Sequence, residues 1–338
     1  MLADTTSVRA EERLDTHALS AYLGGDVSIE QFPGGHSNLT YLVKLNGAEF
    51  VLRRPPLGPV PPKAHDMVRE FRVLQAVHPV FPQAPKPERL CEDLSVIGAP
   101  FYLMERRRGI VVRRENPPEI GEDRALRRRI GEAVLDTLVK LHTVSPVPEI
   151  GKPAGFLERQ LNGWFGRWQK AQTSELPAMD RLVEWLRARL PDSGEATILH
   201  NDYKLDNLML DPSDPARVVA VLDWEMSTLG DPLIDLGILL CYWPQADDAP
   251  ERREFISAVT AMPGWPTRGE LVERYASATG RNVSRIDYYE IFAIFKLAVV
   301  LQQIFHRYHV GQTSDPRFAA LEHRVTGLLK VAGDKAGF

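Results

Sequence analysis

The sequence predicts an α+β chain in two parts, a small mainly β segment followed by a larger mainly helical one. Three observations carry that expectation. Short apolar runs bounded by Gly and Pro crowd the first hundred residues, as strands do. Longer runs with a 3.6-residue apolar repeat follow from Arg124 onward. At 338 residues, with 44% hydrophobic and 25% charged residues, the chain is long enough to bury two cores and has an ordinary globular composition.

In chain order, residues 32–43 read as strand, Gly-containing turn, strand. Gly34 and Gly35 there permit positive φ and a close backbone approach to a ligand, with Ser37 and Asn38 as added hydrogen-bonding groups. Taken alone, such a turn is an ordinary hairpin. Residues 50–53 form the next apolar strand and end on Arg53; a Pro-rich loop leads to a helix over 64–77 carrying Glu70. The strand 101–104 runs into Glu105 and three arginines, where the first part ends, so the predicted boundary divides 1–104 from 105–338. A helix over 124–142 aligns Leu126, Ile130, Val134, Leu138 and Leu141 on one face. The apolar stretch 291–305 contains Lys296 and two glutamines and falls short of the ~20 apolar residues of a membrane span, so it reads as a core helix.

Two stretches carry chemistry: His200-Asn-Asp-Tyr-Lys-Leu-Asp-Asn207 and, after a short polar turn and an apolar run, Val221-Leu-Asp-Trp-Glu225. Asp202 precedes Asn207 by five residues and Asp223 closes a strand, the order of a kinase catalytic loop and metal loop. Transfer of a γ-phosphoryl group needs a carboxylate to orient and accept the proton of an attacking hydroxyl, and oxygen ligands for Mg²⁺. Asp202 suits the first task. Asn207 and Asp223 suit the second, because Mg²⁺ prefers hard oxygen donors and keeps several waters. Lys204 would neutralise the γ-phosphate, Arg53 paired to Glu70 would hold the α- and β-phosphates, and His200 would brace the loop. Each motif alone is weak. A metallohydrolase would want H-x-H or H-E-x-x-H, which the nine histidines do not form.

Read together, Gly34-Gly-His-Ser-Asn-Leu-Thr-Tyr41, Phe50-Val-Leu-Arg-Arg-Pro55, Arg69-Glu-Phe-Arg72, Phe101-Tyr-Leu-Met-Glu105, the 200–207 loop and Asp223-Trp-Glu through Gly230-Asp-Pro to Asp235-Leu-Gly237 resemble the aminoglycoside phosphotransferase and choline kinase superfamily. The wording is closest to the subgroup related to the kinase domain fused to acyl-CoA dehydrogenases. The resemblance implies a two-lobed protein-kinase-like fold, ATP and Mg²⁺ as cofactors, an adenine contact from the backbone around Glu105, and helical inserts at 156–190 and beyond 251 that form the acceptor pocket. It also implies phosphorylation of hydroxylated acyl groups, with a hydroxyacyl-CoA as acceptor. Asp235 is expected to buttress the catalytic loop. Arg53 departs from the usual strand lysine, and a guanidinium can bind phosphate or carboxylate in a bidentate way. That departure keeps a catalytically silent, nucleotide-binding pseudokinase as the alternative.

A protein kinase is disfavoured: only residues 224–230 separate Asp223 from Asp231-Pro232, too few for an activation segment. The net charge of −4 argues against a nucleic-acid partner. From residue 241 to the end, 12 Lys and Arg face 11 Asp and Glu, so that half lacks the acidic excess a polycationic aminoglycoside would seek. Trp164, Phe165 and Trp168, with Tyr242, Trp243, Phe295 and Phe305, could line an apolar pocket or simply pack the core. The arginines at 106–108, 113 and 114 could meet a CoA phosphate or be solvated surface. Two cysteines, Cys91 and Cys241, and an N-terminus without a signal-peptide core point to the cytoplasm, with no membrane partner; oligomeric state is left open.

Overall fold

The computed structural model describes residues 4–33, 38–58, 65–255, 257–313 and 315–338. Gly34, Gly35 and Ser37 therefore lie outside the described residues, as does the 59–64 part of the Pro-rich loop. The chain divides into two compact units. The first comprises residues 1–108 and returns for 219–227, and the second comprises 109–218 and 228–338.

The first unit is built on an antiparallel sheet of β1 (Val27–Gln31), β2 (Leu39–Leu45), β3 (Ala48–Arg54), β4 (Pro87–Cys91) and β5 (Phe101–Glu105), in the order β1-β2-β3-β5-β4. Where the sequence suggests a strand beginning at residue 32, β1 ends at Gln31. Phe32 donates one further bond to Thr40 O (3.2 Å), and Pro33, lacking an N–H, stops the ladder. Between β2 and β3 the two-residue turn Asn46-Gly47 has positive φ at both positions (51° and 83°), the geometry that matches strand twist. The sheet is covered on both faces. Helix α1 (Thr16–Leu23) and the short α3 (Leu94–Ile97) pack one side through Leu19, Leu23, Tyr41, Val43, Leu52, Phe101 and Leu103. On β4 and β5 lies α2 (Met67–Val77), capped by Asp66, which accepts from Arg69 N; the helix buries Phe71 beside Tyr102, with ring centroids 6.0 Å apart.

The returning segment is bound into this unit by backbone and side-chain bonds. Val221 N donates to Gln83 O (2.9 Å), and Arg69 donates to Glu225 O (2.6 Å) and Ser227 O (2.5 Å). Trp224 is buried against Phe81.

The second unit holds α4 (Arg124–Thr143), α5 (Phe156–Ala171), α6 (Pro177–Ala188), the strands β6 (Thr197–Leu199) and β7 (Leu208–Leu210), then β8 (Val218–Val221) at the unit boundary, β9 (Thr228–Gly230), and α7 (Leu233–Cys241), α8 (Pro250–Phe255), α9 (Arg268–Thr279), α10 (Ile286–His309) and α11 (Leu321–Ala336). Ile130, Val134, Leu138 and Leu141 are buried along α4 as the periodicity predicts, while Leu126 is only half-buried. Helix α10 is long and apolar enough to cross a membrane, yet 78% of its apolar window is buried among α5, α7 and α11, so it is a core helix. It lies against α7 at Gly237, where an added Cβ would meet the Tyr289 carbonyl at 2.5 Å.

Candidate active site

The predicted site residues are divided between the two units. In the second, β6 pairs with β9 and delivers the chain into the loop 200–207. Three features hold that loop. Asp235, in the first turn of α7 and fully buried, accepts from His200 N (2.6 Å) and Asn201 N (2.7 Å), one carboxylate oxygen for each. His142, which lies 3.3 Å from the same carboxylate, is held in turn by Tyr275 Oη at 2.8 Å. His200 is buried and accepts from Asp202 N through Nδ1 (3.2 Å), the bracing role expected of it. Tyr203 reaches back to Val134 O (2.7 Å) and ties the loop to α4. Hydrogen bonds to charged groups contribute ~1.5–3 kcal/mol each, so Asp235 alone gives the loop a substantial anchor. The anchor also sustains the left-handed backbone of Asn201 (φ 62°), a conformation uncommon outside glycine.

Within that frame Asp202, Lys204 and Asn207 converge. Lys204 Nζ donates to both Asp202 oxygens (2.8 and 2.7 Å), and Asn207 Nδ2 donates to the Asp202 carbonyl and to Oδ2 (both 2.8 Å). An amide whose nitrogen is committed in this way presents its carbonyl oxygen to any cation. Burial pulls the Lys204 pKa down, but Tyr242, whose ring lies 5.0 Å from Nζ, and Asp202 outweigh it, and the ammonium is held charged.

In the first unit, Arg53 on β3 is buried and lies between two carboxylates. Its Nη2 donates to Asp223 Oδ1 (3.0 Å), and its Nε is 3.5 Å from Glu70 Oε2 on α2, too long and misaligned for a good hydrogen bond. Burial opposes the Arg53 charge, but Glu70 and Asp223 more than compensate, and it is a permanent cation. Glu70 is pushed up to about 7, chiefly by burial, against the pull of Arg53. Asp223 has φ 69°, a second left-handed non-glycine residue in a candidate functional loop. Asn38 donates to Glu225 Oε2 (3.0 Å) and meets His65 Nδ1 through Oδ1 (2.8 Å). Glu105 ends β5; its N–H donates to Lys86 O (2.8 Å) and its carboxylate pairs with Arg107 (2.9 Å).

Glu225, Arg69 and His65 are partners that sequence reasoning did not assign a role. Glu225 was available as the acidic residue two places after Asp223. Among the described residues no group of three His, Cys, Asp or Glu side chains forms a stand-alone metal centre.

The model of the phosphotransferase enzyme family matches residues 28–271. The chain belongs to this family. The chain is 35% identical to mouse acyl-CoA dehydrogenase family member 10, over 99% of its own length and 33% of the relative's. It is also 35% identical to mouse acyl-CoA dehydrogenase family member 11, over 92% and 42% respectively. It thus spans less than half the length of the curated relatives it matches, and the subgroup resemblance read from its motifs is shown. Among solved structures, a candidate aminoglycoside phosphotransferase from Ralstonia eutropha JMP134 superposes with TM-score 0.79 at 32% identity, covering 96% of this chain and 98% of the other. The aminoglycoside phosphotransferase APH(4)-Ia in complex with AMP-PNP and hygromycin B superposes with TM-score 0.60 at 15% identity, over 94% and 98% of the two chains. That likeness establishes the α+β kinase-like fold of the chain.

Proposed function

We propose that this phosphotransferase transfers the γ-phosphoryl group of ATP, with Mg²⁺, to a hydroxyl of a small acceptor, and that the acceptor is a hydroxyacyl-CoA. The observation that carries the reading is the Asp202 carboxylate, oriented by Asn207 and Lys204 on a loop anchored by Asp235. Asp202 accepts a hydrogen bond from the acceptor hydroxyl and takes its proton as the new O–P bond forms and the bond from γ-phosphorus to the β,γ-bridging oxygen breaks, releasing ADP. Lys204 keeps a positive charge beside the transferred group, and Arg53, positioned by Glu70, meets the remaining phosphates.

Asn207 and Asp223 are the residues that would hold Mg²⁺. Both offer hard oxygen donors, and one amide and one carboxylate suffice when nucleotide phosphates and water supply the rest. When bound, the metal neutralises phosphate charge. Asn38 belongs to the nucleotide side in this reading, with Gly34, Gly35 and Ser37. Because the Glu105 N–H is taken by Lys86, an adenine contact falls to the backbone around Glu105.

A nucleotide-binding protein without turnover is favoured by one observation: Arg53 bonds the same Asp223 carboxylate that is assigned to the metal. Purified protein with ATP and Mg²⁺, offered hydroxyacyl-CoAs, aminoglycosides, choline and sugars while ATP consumption is followed, separates the readings. Hydroxyacyl-CoAs are expected to give a higher kcat/KM than kanamycin-type compounds. ATP binding with no turnover on any acceptor would establish the silent reading. Turnover of aminoglycosides alone would reverse the acceptor assignment and leave phosphotransfer standing.

A further inference from the structure

Lys296 lies in the middle of α10, far in sequence from every motif, yet its ammonium reaches the catalytic loop. Its Nζ donates to the carbonyl of Asn201 at 2.5 Å. On another side Nζ lies 5.3 Å from the ring centroid of Trp164 in α5, and Trp164 is itself buried and covered by the Arg167 guanidinium at 4.3 Å. We propose that Lys296 is a positioning residue for phosphoryl transfer, its charged ammonium holding the Asn201–Asp202 peptide where the Asp202 carboxylate meets the acceptor hydroxyl. This rests on the reading of Asp202 as the group that orients the acceptor.

Three facts support it. A buried ammonium is costly, and a fold that needed only packing here would use an apolar side chain, as α10 does at Phe292, Phe295 and Val299. The bond goes to the residue whose φ of 62° sets the direction in which the chain enters Asp202. Asp235 holds the N–H groups of His200 and Asn201, while Lys296 holds the carbonyl of Asn201, so the peptide groups on both sides of that strained residue are tied, one by an anion and one by a cation. The contact with Trp164 adds a link from the helix of the acceptor-side insert to the catalytic loop.

The charge state of Lys296 makes the role testable. Its pKa is lowered to about 8, chiefly by burial, with Asp202 and Asp235 pulling it up and Lys204 and Arg167 adding to the fall. Charged groups therefore face it from the catalytic loop, α7 and α5. As pH rises through about 8 the ammonium becomes an amine, a weaker donor, and the hold on Asn201 slackens. Wild-type kcat should thus fall on the alkaline side with a midpoint near 8. K296R keeps the charge and should retain activity above that midpoint, whereas K296M should lose ~10-fold or more in kcat at pH 7 with little change in the KM for ATP.

Two readouts are needed. The first is transfer from ATP to a hydroxyacyl-CoA, or to water if that acceptor is refused, as a function of pH. The second is independent of activity: the backbone amide NMR signals of Asn201 and Asp202 should titrate with a midpoint near 8 in the wild type and stay still over that range in K296R. Signals that titrate identically in K296R overturn the proposal, as does a K296M enzyme with unchanged kcat. A wild type inactive on every acceptor, whose Asn201 and Asp202 signals titrate as described, would count against the phosphotransfer reading and for the Lys296 linkage.

Discussion

Asp202 receives hydrogen bonds from Lys204 and Asn207, which fix the direction of its carboxylate. A loose phosphoryl-transfer transition state depends on orientation of the acceptor more than on proton abstraction, and these bonds supply orientation. D202N should fold and bind nucleotide normally and lose ~10²-fold or more in kcat; turnover near the wild-type level would remove Asp202 from the mechanism. Asp223 should contribute to metal binding only alongside phosphates. Calorimetry of D223A is accordingly expected to show ATP affinity that no longer responds to Mg²⁺, and an intact response would move the metal site elsewhere. At this scale the site was legible where the chemistry is local. Asp202, Lys204 and Asn207 lie within one loop, and the Arg53–Glu70 pair was read from a cation ending a strand and a glutamate on the helix that follows. Lys296 was not legible as part of the site, because its partner is a carbonyl 95 residues away; the sequence shows only a lysine inside an apolar helix. The same lysine links to stability with a definite sign. Native Lys296 sheds its proton near 8 and the unfolded side chain near 10.5, so between those values the unfolded chain binds more protons and stability rises with pH. K296M should flatten that rise in urea titrations taken across the window.

Among the elements, α7 and α10 set the tolerance of the core. Every residue of α7 is buried, and Gly237 brings its backbone against Tyr289 of α10. Alanine is the better helix former by ~1 kcal/mol, but a Cβ at 2.5 Å from a carbonyl oxygen forces two helices apart, and overpacking of this kind costs ~1–3 kcal/mol. The clash should win. G237A is expected to lower Tm, and because the same helix carries Asp235, to lower kcat more than the KM for ATP; a rise in Tm would mean that the helices separate freely here. Element types were readable wherever one face is apolar, as in α4, and boundaries were less so. The apolar signal of α10 spans 291–305, whereas the helix runs Ile286–His309, because Asp287, Glu290, His306, Arg307 and His309 break up the apolar run at its ends while the backbone bonds continue.

For the molecule as a whole, charge and ligand linkage decide the expectations. With near-neutral charge beyond residue 241, an acceptor with an apolar body is favoured over a polycation, and kcat/KM should fall as the acyl chain of a hydroxyacyl-CoA shortens, since each lost buried CH₂ removes ~0.8 kcal/mol. A flat response to chain length would place the acyl tail in water. ATP with Mg²⁺ at 100 times its Kd should stabilise the native chain by ~2.7 kcal/mol and raise Tm, an effect that D223A should diminish. The kinase-like class was legible from motif order. The division of the chain was less so, because residues 219–227 belong with the first unit through bonds to Gln83 and Arg69 that no local pattern announces.

That return has a consequence for biosynthesis. A ribosome adding ~5–20 residues per second needs roughly 6–24 s to pass from Arg108 to Ser227, and for most of that interval the nascent first unit lacks Asp223 and Trp224. Arg53 and Glu70 can meet during synthesis, but the third member of their cluster arrives only after the catalytic loop has been made. The early sheet must therefore stay unaggregated while it waits, with the side of Phe81 that Trp224 will cover still open to chaperones.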